Sequence, residues 1–578
     1  ISPEAQITQG GIEMTAKKSI ALLIALAMAV AMLAGCSSGT PTDANDPASA
    51  GDGSAAATGD ERTPATFSLL QMAAATSTVD PWIDTPVGQY LQEKTNVELE
   101  IEFLVGSDVR QKASLLIAAG EYPDLLTTSD ASGDLKAAGA FVPLNDYIAN
   151  STNIKNCYTE SQIKLMTQED GNIYWFGNHA SENAVYPTAG YYLNMDLLAQ
   201  AGYPQVTTFE QWQQLIIDYV EANPTYKGQS TIGITEPTEA WRASAVQYGG
   251  SRFLAGYPND GLTVIDQDTL EAKVVMTQDF QKEFCRMLNK MWNLGIADPE
   301  MFMQTDEQLQ SKIGSGRVAG MYDQRSMISV GLDALEANDP SRMLVAFPVT
   351  FEGVETERYR GARTFQPGFG IGISVTCEDP DRAFQFLDDL ASEECQTVLR
   401  WGVEGTDWSY GEDGSLTKTA DQWAQYNDVY YKQEQGIEQM GWFNFWPGLE
   451  AFPESGTIAS PSNTPEYAQQ AYEDYELEFL SHYDAQTFCD WFNPSYDATY
   501  EPGYSIRQRI DTSDPRKIAG ETALTITLEY VPKLAQCAPE DFDAIWDEFV
   551  GKLADLPLAE YEQLVTQMAQ ESAPNYQN

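Results

Sequence analysis

Asn96–Phe103 reads NVELEIEF. Val97, Leu99, Ile101 and Phe103 occupy alternate positions, with Glu98, Glu100 and Glu102 between them. A period of two is the signature of a strand with one buried face. Upstream, Thr66–Met72 (TFSLLQM) is a second short apolar strand, and Val87–Thr95 (VGQYLQEKT) is a short amphipathic helix between the two. Downstream, Arg110–Gly120 (RQKASLLIAAG) reads as a helix stopped by Gly120, and Pro123–Thr128 (PDLLTT) as a further strand. This alternation of strands and helices argues for an α/β domain.

The same pattern continues along the chain. In Tyr191–Pro224, Thr207 or Thr208 can cap a helix, with Glu210 or Gln211 closing a capping box. Phe209, Trp212, Leu215, Ile216, Tyr219 and Val220 form its apolar face, and Pro224 follows its end. Farther on, Ile371, Ile373 and Val375 alternate as a strand, and Asp379 caps a helix that begins at Pro380. Glycines 368, 370 and 372 do not make a dinucleotide loop. Two C-terminal stripes, Phe542–Leu553 and Leu558–Met568, read as core-facing helices. Trp212 and Trp546 lie on such apolar faces and are expected in the core.

The chain has 578 residues and a net charge of −52. That field repels nucleic acid and anionic membrane surfaces and mildly disfavours anionic ligands. Near the N-terminus, Lys17 and Lys18 precede an unbroken apolar run from Ile20 to Leu33, which ends in Leu33-Ala34-Gly35-Cys36. The run is short for a membrane span and suits a signal peptide. We expect translation to start at Met14, so that residues 1–35 comprise an untranslated leader artefact plus signal peptide. The LAGC sequence resembles the bacterial lipobox, which implies lipidation of Cys36. Residues 36–64 are rich in Gly, Ser, Ala, Thr, Asp and Pro and read as a disordered tether. Among the six later cysteines no C-x-x-C occurs. Cys377 and Cys395 flank a helix that would hold them about 18 Å apart, too far for a disulfide.

Six stretches, taken in order, resemble bacterial extracellular solute-binding proteins of family 1, specifically their long lipoprotein branch. They are LLIAAGEYPDLL (115–126), GAFVPLNDYI (139–148), YYLNMDLLAQAGYPQVTTFEQW (191–212), KIGSGRVAGMYD (312–323), FGIGISVTCEDPDRAFQFLDDL (369–390) and GVEGTDW (402–408). The resemblance implies an α/β, two-lobe, type II periplasmic-binding-protein-like fold with a hinge and an interlobe cleft. It places residues 65–187 and 370–403 in lobe 1, and residues 188–369 and 404–578 in lobe 2. Crossings are expected near Tyr186–Tyr191, Gly368–Gly372 and Trp401–Glu404. It further implies an oligosaccharide ligand, ABC-transporter permease partners, attachment to the cell membrane through the lipid alone and a monomeric chain. The charge argues against nucleic acid, no acidic loop matches an EF-hand, and no cofactor or metal is expected. The acidic charge favours a neutral sugar, while peptides and other polar solutes stay open.

A sugar site needs aromatic platforms ringed by hydrogen-bonding side chains. Carried over by position, the cleft loops offer Asp80, Trp82 and Asp84, then Asp130, Tyr186, Glu236 and Trp241, and then Gln324, Arg325, Glu404 and Trp408. Gly441–Gly448 (GWFNFWPG) adds four rings. There Phe443 and Phe445 are expected to pack inward, and at least one of Trp442 and Trp446 to face the ligand. Two other readings compete, a lipid-anchored glycoside hydrolase and a surface sugar sensor or adhesin. The first needs paired carboxylates. The sequence carries no G-x-S-x-G, H-E-x-x-H or P-loop, and His179 and His482 are its only histidines. The expectation is therefore a binding protein, not an enzyme.

Overall fold

The structure is a computed structural model of the chain. It describes residues 62–576 apart from 75–79, 105–108, 129–130, 180–184, 238–241, 244–246, 248, 361, 364, 447–450 and 462–464. The expected leader, Cys36, nearly all of the tether, Asp130 and Trp241 lie outside the described residues.

Strand β1 (Ala65–Ala74) leads through helix α1 (Pro86–Thr95) to β2 (Val97–Leu104), β3 (Leu125–Thr127) and β4 (Phe176–His179). Next come β5 (Ala189–Asn194), helix α2 (Phe209–Ala222), β6 (Ile232–Ile234), β7 (Val318–Gln324) and β8 (Leu344–Phe347). Strand β9 (Phe365–Ile373) is followed by helices α3 (Pro380–Leu390) and α4 (Glu393–Trp401). Helices α5 (Gly503–Arg509), α6 (Pro515–Gln536), α7 (Phe542–Ala554) and α8 (Leu558–Tyr576) close the chain.

The strands form two main sheets. The first has the order β2-β1-β3-β9-β4, in which β1 is parallel to β2 and β3, and β9 is antiparallel to β3 and β4. The second has the order β8-β5-β7-β6, with β5 antiparallel to β7 and β8, and β6 parallel to β7. Side-chain alternation divides the first sheet's two faces. Phe67, Leu69, Val97 and Leu99 join the large core, whereas Leu70, Met72, Leu104 and Leu126 pack with Phe141 and Trp175 in a second cluster.

The local signals form as their chemistry requires. Thr208 and Gln211 make the capping box of α2, and Asp379 caps α3 at the backbone N–H of Arg382. Trp212 and Trp546 are buried, and Cys377 and Cys395 are both free thiols.

The third expected crossing is displaced. The chain does not leave the first lobe at Trp401–Glu404, because aromatic packing holds it there. Phe443 meets Trp82 and Phe386, Phe445 meets Phe176, and the indole N–H of Trp446 donates to Ala391 O at 2.7 Å. Contacts with the second lobe appear at Tyr475, whose hydroxyl donates to Glu336 Oε1 at 2.9 Å. They continue at Trp491, which donates to Ala346 O at 2.9 Å. Assigning all of 404–578 to lobe 2 is therefore incorrect for 436–446. Helix α8 straps both lobes. It packs on residues 160–166 beside the first sheet, and Thr566 and Glu562 accept from Ala272 and Val274 of the second lobe.

Candidate functional site

Strands β1 to β4 all run one way in the first sheet, and β6, β7 and β8 run one way in the second. The first crossing leaves the end of β4 and enters the start of antiparallel β5. The return leaves the end of β8 and enters the start of antiparallel β9. Each crossing therefore joins the carboxyl edge of one sheet to the carboxyl edge of the other. Open α/β sheets bind ligands at these edges.

At the first lobe's edge the wall is aromatic. Phe103, near the end of β2, meets Trp442 edge to face at 6.1 Å. Gln71 of β1 is in register with Phe103. The indole N–H of Trp442 and Oε1 of Gln71 are enclosed without hydrogen-bond partners. Trp442 is half-buried, whereas Phe443, Phe445 and Trp446 are buried. Both Phe pack inward as expected. Of the two Trp, Trp446 is tied to the core through its N–H, and Trp442 stays half-buried.

At the second lobe's edge the wall is polar and buried. Glu236 follows β6, and its Oε1 accepts from Gln247 Nε2 at 3.1 Å. Burial lifts the Glu236 carboxyl to about 8, with the Gln247 bond opposing the rise and nearby Asp323 adding to it. Asp323, in β7, is also raised by burial, against the pull of Arg242. Arg242 bonds Asp323 at 2.7 Å and also reaches Asp306. The rings of Tyr191 and Tyr322 lie 4.8 Å apart, tilted by 43°.

The other expected ligand residues do not all reach these walls. Trp82 is fully buried beneath α1, between Phe386 and Phe443, and donates to Val97 O at 3.3 Å. Its expected role as a platform is corrected: it is core, because the loop that carries it folds back under the helix. Asp80 uses its carboxylate to accept from the backbone of Trp82 and Ile83, which caps that turn. Asp84 is exposed. Trp408 is also corrected to a buried residue, its N–H donating to Gly402 O at 2.9 Å, while Glu404 is exposed in the same loop.

Tyr186 and Arg325 face each other rather than an open cleft. The guanidinium lies 3.4 Å above the ring, which stacks on Phe488, and the Tyr186 hydroxyl donates to Glu476 at 2.6 Å. With Tyr192 they line a cavity of about 10 Å³, room for about one water. Gln324 is half-buried at the end of β7. Sequence reasoning missed Gln71, Phe103, Arg242, Gln247 and Asp323 as wall residues. Gln71 carried a signal, a polar residue on the inward register of Phe67 and Leu69.

The family model of the bacterial extracellular solute-binding protein matches residues 74–397, more than half of the chain. The chain belongs to this family. Relatives of this solute-binding protein include lipoprotein LipO of Bacillus subtilis, 22% identical over 68% of this chain and 74% of the relative. The polygalacturonan/rhamnogalacturonan-binding protein YtcQ of Bacillus subtilis is 22% identical over 57% of this chain and 65% of its own length. Among solved structures, an HMO-binding solute-binding protein of Bifidobacterium longum infantis superposes with a TM-score of 0.62 at 15% identity, over 89% of this chain and all of that one. An EF-hand mutant of FusA of S. pneumoniae, in complex with fructo-nystose, gives 0.62 at 16% identity, over 88% of this chain and all of that one. These likenesses agree with the two-lobe, type II solute-binding fold.

Proposed function

We propose that this solute-binding protein captures a neutral oligosaccharide between the two carboxyl edges and delivers it to ABC-importer permease subunits. It does so as a monomer, without chemical turnover, from the outer face of the cell membrane, where a lipid on Cys36 anchors it. The observation that carries the ligand class is the Trp442–Phe103 wall with its unmet N–H and the Gln71 carbonyl beside it. An aromatic face suits the C–H face of a sugar, and the unmet donor and acceptor suit its hydroxyls. Neutrality is supported by the state of Arg242, whose charge is taken up by Asp306 and Asp323. Two of the similar proteins carry saccharides in their names or bound state. Ligand drives lobe closure only by binding the closed state better than the open one.

A thermal-shift screen of the soluble chain tests this reading. Kestose, nystose, trigalacturonate and a tripeptide serve as probes. A neutral saccharide is expected to raise Tm, as ligand at about 100 times Kd adds about 2.7 kcal/mol. A shift with trigalacturonate alone removes neutrality, and a shift with the peptide alone removes the carbohydrate reading. Chromatography of the incubated saccharide should show no cleavage product.

A further inference from the structure

Three elements bring unmet hydrogen-bonding atoms together at the second lobe's edge. Glu236, Gln247 and Tyr191 are each at most 3% exposed. Gln247 Nε2 donates to Glu236 Oε1, and among the described residues Glu236 Oε2 has no partner. Gln247 Oε1, the Tyr191 hydroxyl and Arg242 Nε are enclosed and have none either. Gly250 packs closely here, since a Cβ there would stand 2.9 Å from the Tyr191 hydroxyl. Buried polar atoms are nearly always completed, and leaving one unmet is costly. Several in one place, at the edge where α/β sheets take ligands, mark a place that something polar completes.

We propose that Glu236 is the second lobe's hydrogen-bond donor to a ligand hydroxyl, with Gln247 holding its carboxyl and Tyr191 completing the contact. This rests on the saccharide reading and assigns that site a specificity-determining group. Burial lifts the Glu236 carboxyl to about 8, so it keeps its proton at neutral pH and can donate. A neutral acid held this way presents a donor without a charge, which suits a sugar hydroxyl. The groups that face it are Asp323 from β7, Tyr191 from β5, Cys285 from the helix Asp279–Asn293, and Arg242 with its second partner Asp306. Burial raises Tyr191 and Cys285 as well, which leaves both protonated through this range. Gln247 binds the carboxyl directly, and its bond favours the ionised form, opposing burial.

Calorimetric titration of the soluble chain with nystose and with trigalacturonate, from pH 6.5 to 9.5, tests the assignment. Wild-type affinity should hold to about pH 8 and then fall about tenfold per pH unit as the donor proton is lost. Glu236→Gln keeps a neutral donor and should bind with no such fall. Gln247→Met should move the midpoint of the fall to higher pH, which supplies the test if Glu236→Gln does not fold. A parallel pH profile in wild type and Glu236→Gln, or an unmoved midpoint in Gln247→Met, overturns the role of Glu236 while leaving the saccharide reading intact. A cluster completed by water alone would change stability in these variants and leave affinity unchanged, which also overturns it. Wild type that binds neither these probes nor kestose removes the saccharide reading and this inference with it.

Discussion

Trp442 and Glu236 both stand at the carboxyl edge of a sheet, but their neighbours differ in kind. Around Trp442 the first lobe packs rings in depth: Phe103 beside it, Phe443 behind it, and Trp82 and Phe386 beneath. Around Glu236 the second lobe buries charge and hydrogen bonds, with Arg242 between two aspartates and Gln247 on the carboxyl. The first wall is stabilised by area removed from water, which is additive and tolerant of direction. The second depends on paired charges and directional hydrogen bonds, so it is sensitive to the loss of one partner and to pH. A cleft with one wall of each kind can separate general affinity from selectivity.

Replacing tryptophans gives the sharpest test of the first wall. Trp82→Ala should cost about 3–5 kcal/mol of stability in urea denaturation, as expected for a large enclosed ring. Trp442→Ala should cost much less stability but weaken saccharide binding about three- to tenfold, or 0.5–1.5 kcal/mol. If Trp82→Ala spared stability and lost binding, the division between core and platform would be broken. On the second wall, Arg242→Met strands Asp323 without its cation and should cost about 3 kcal/mol. A stable Arg242→Met protein would show that the charge network is not what holds this wall.

The pH response is smaller and has a definite sign. Glu236 in the folded chain is raised from 4.5 to about 8, so the folded state keeps a proton that the unfolded chain loses. Its contribution is complete below about 4.5 and is lost as pH rises toward 8, with a slope of up to about 1.4 kcal/mol per pH unit. Glu236→Gln should remove that slope from denaturation curves taken between pH 5 and 8, and equal slopes would place the titration elsewhere. The smallest effect belongs to Asp84. It is exposed, and Asp84→Ala should change stability by less than about 0.5 kcal/mol and leave binding unchanged in calorimetry.

Much of the fold was legible because its signals are local. The alternation in Val97–Phe103, the capping box at Thr208 and the Asp379-Pro380 helix start each need only a few neighbouring residues, and each forms as read. The division of the aromatic stretch was legible in part, since both Phe turn inward and Trp442 stays half-buried. The site was less legible. Trp82 and Trp408 sit in loops beside acidic residues, a setting that suits a ligand platform, and both are enclosed. Nothing within a few residues of Trp82 announces that Phe386 and Phe443, more than 300 positions away, will cover it.

The sequence by itself determined the α/β grammar and the acidic charge, because periodicity, caps and composition are properties of short windows or of sums, and six ordered stretches carried the family resemblance. Only the tertiary structure decided which tryptophan is core and which is wall, where the chain leaves the first lobe, and that Glu236, Gln247 and Tyr191 share one place. Those outcomes depend on contacts between residues distant in the chain, and burial, the quantity that moves Glu236 to about 8, does not exist until those contacts form.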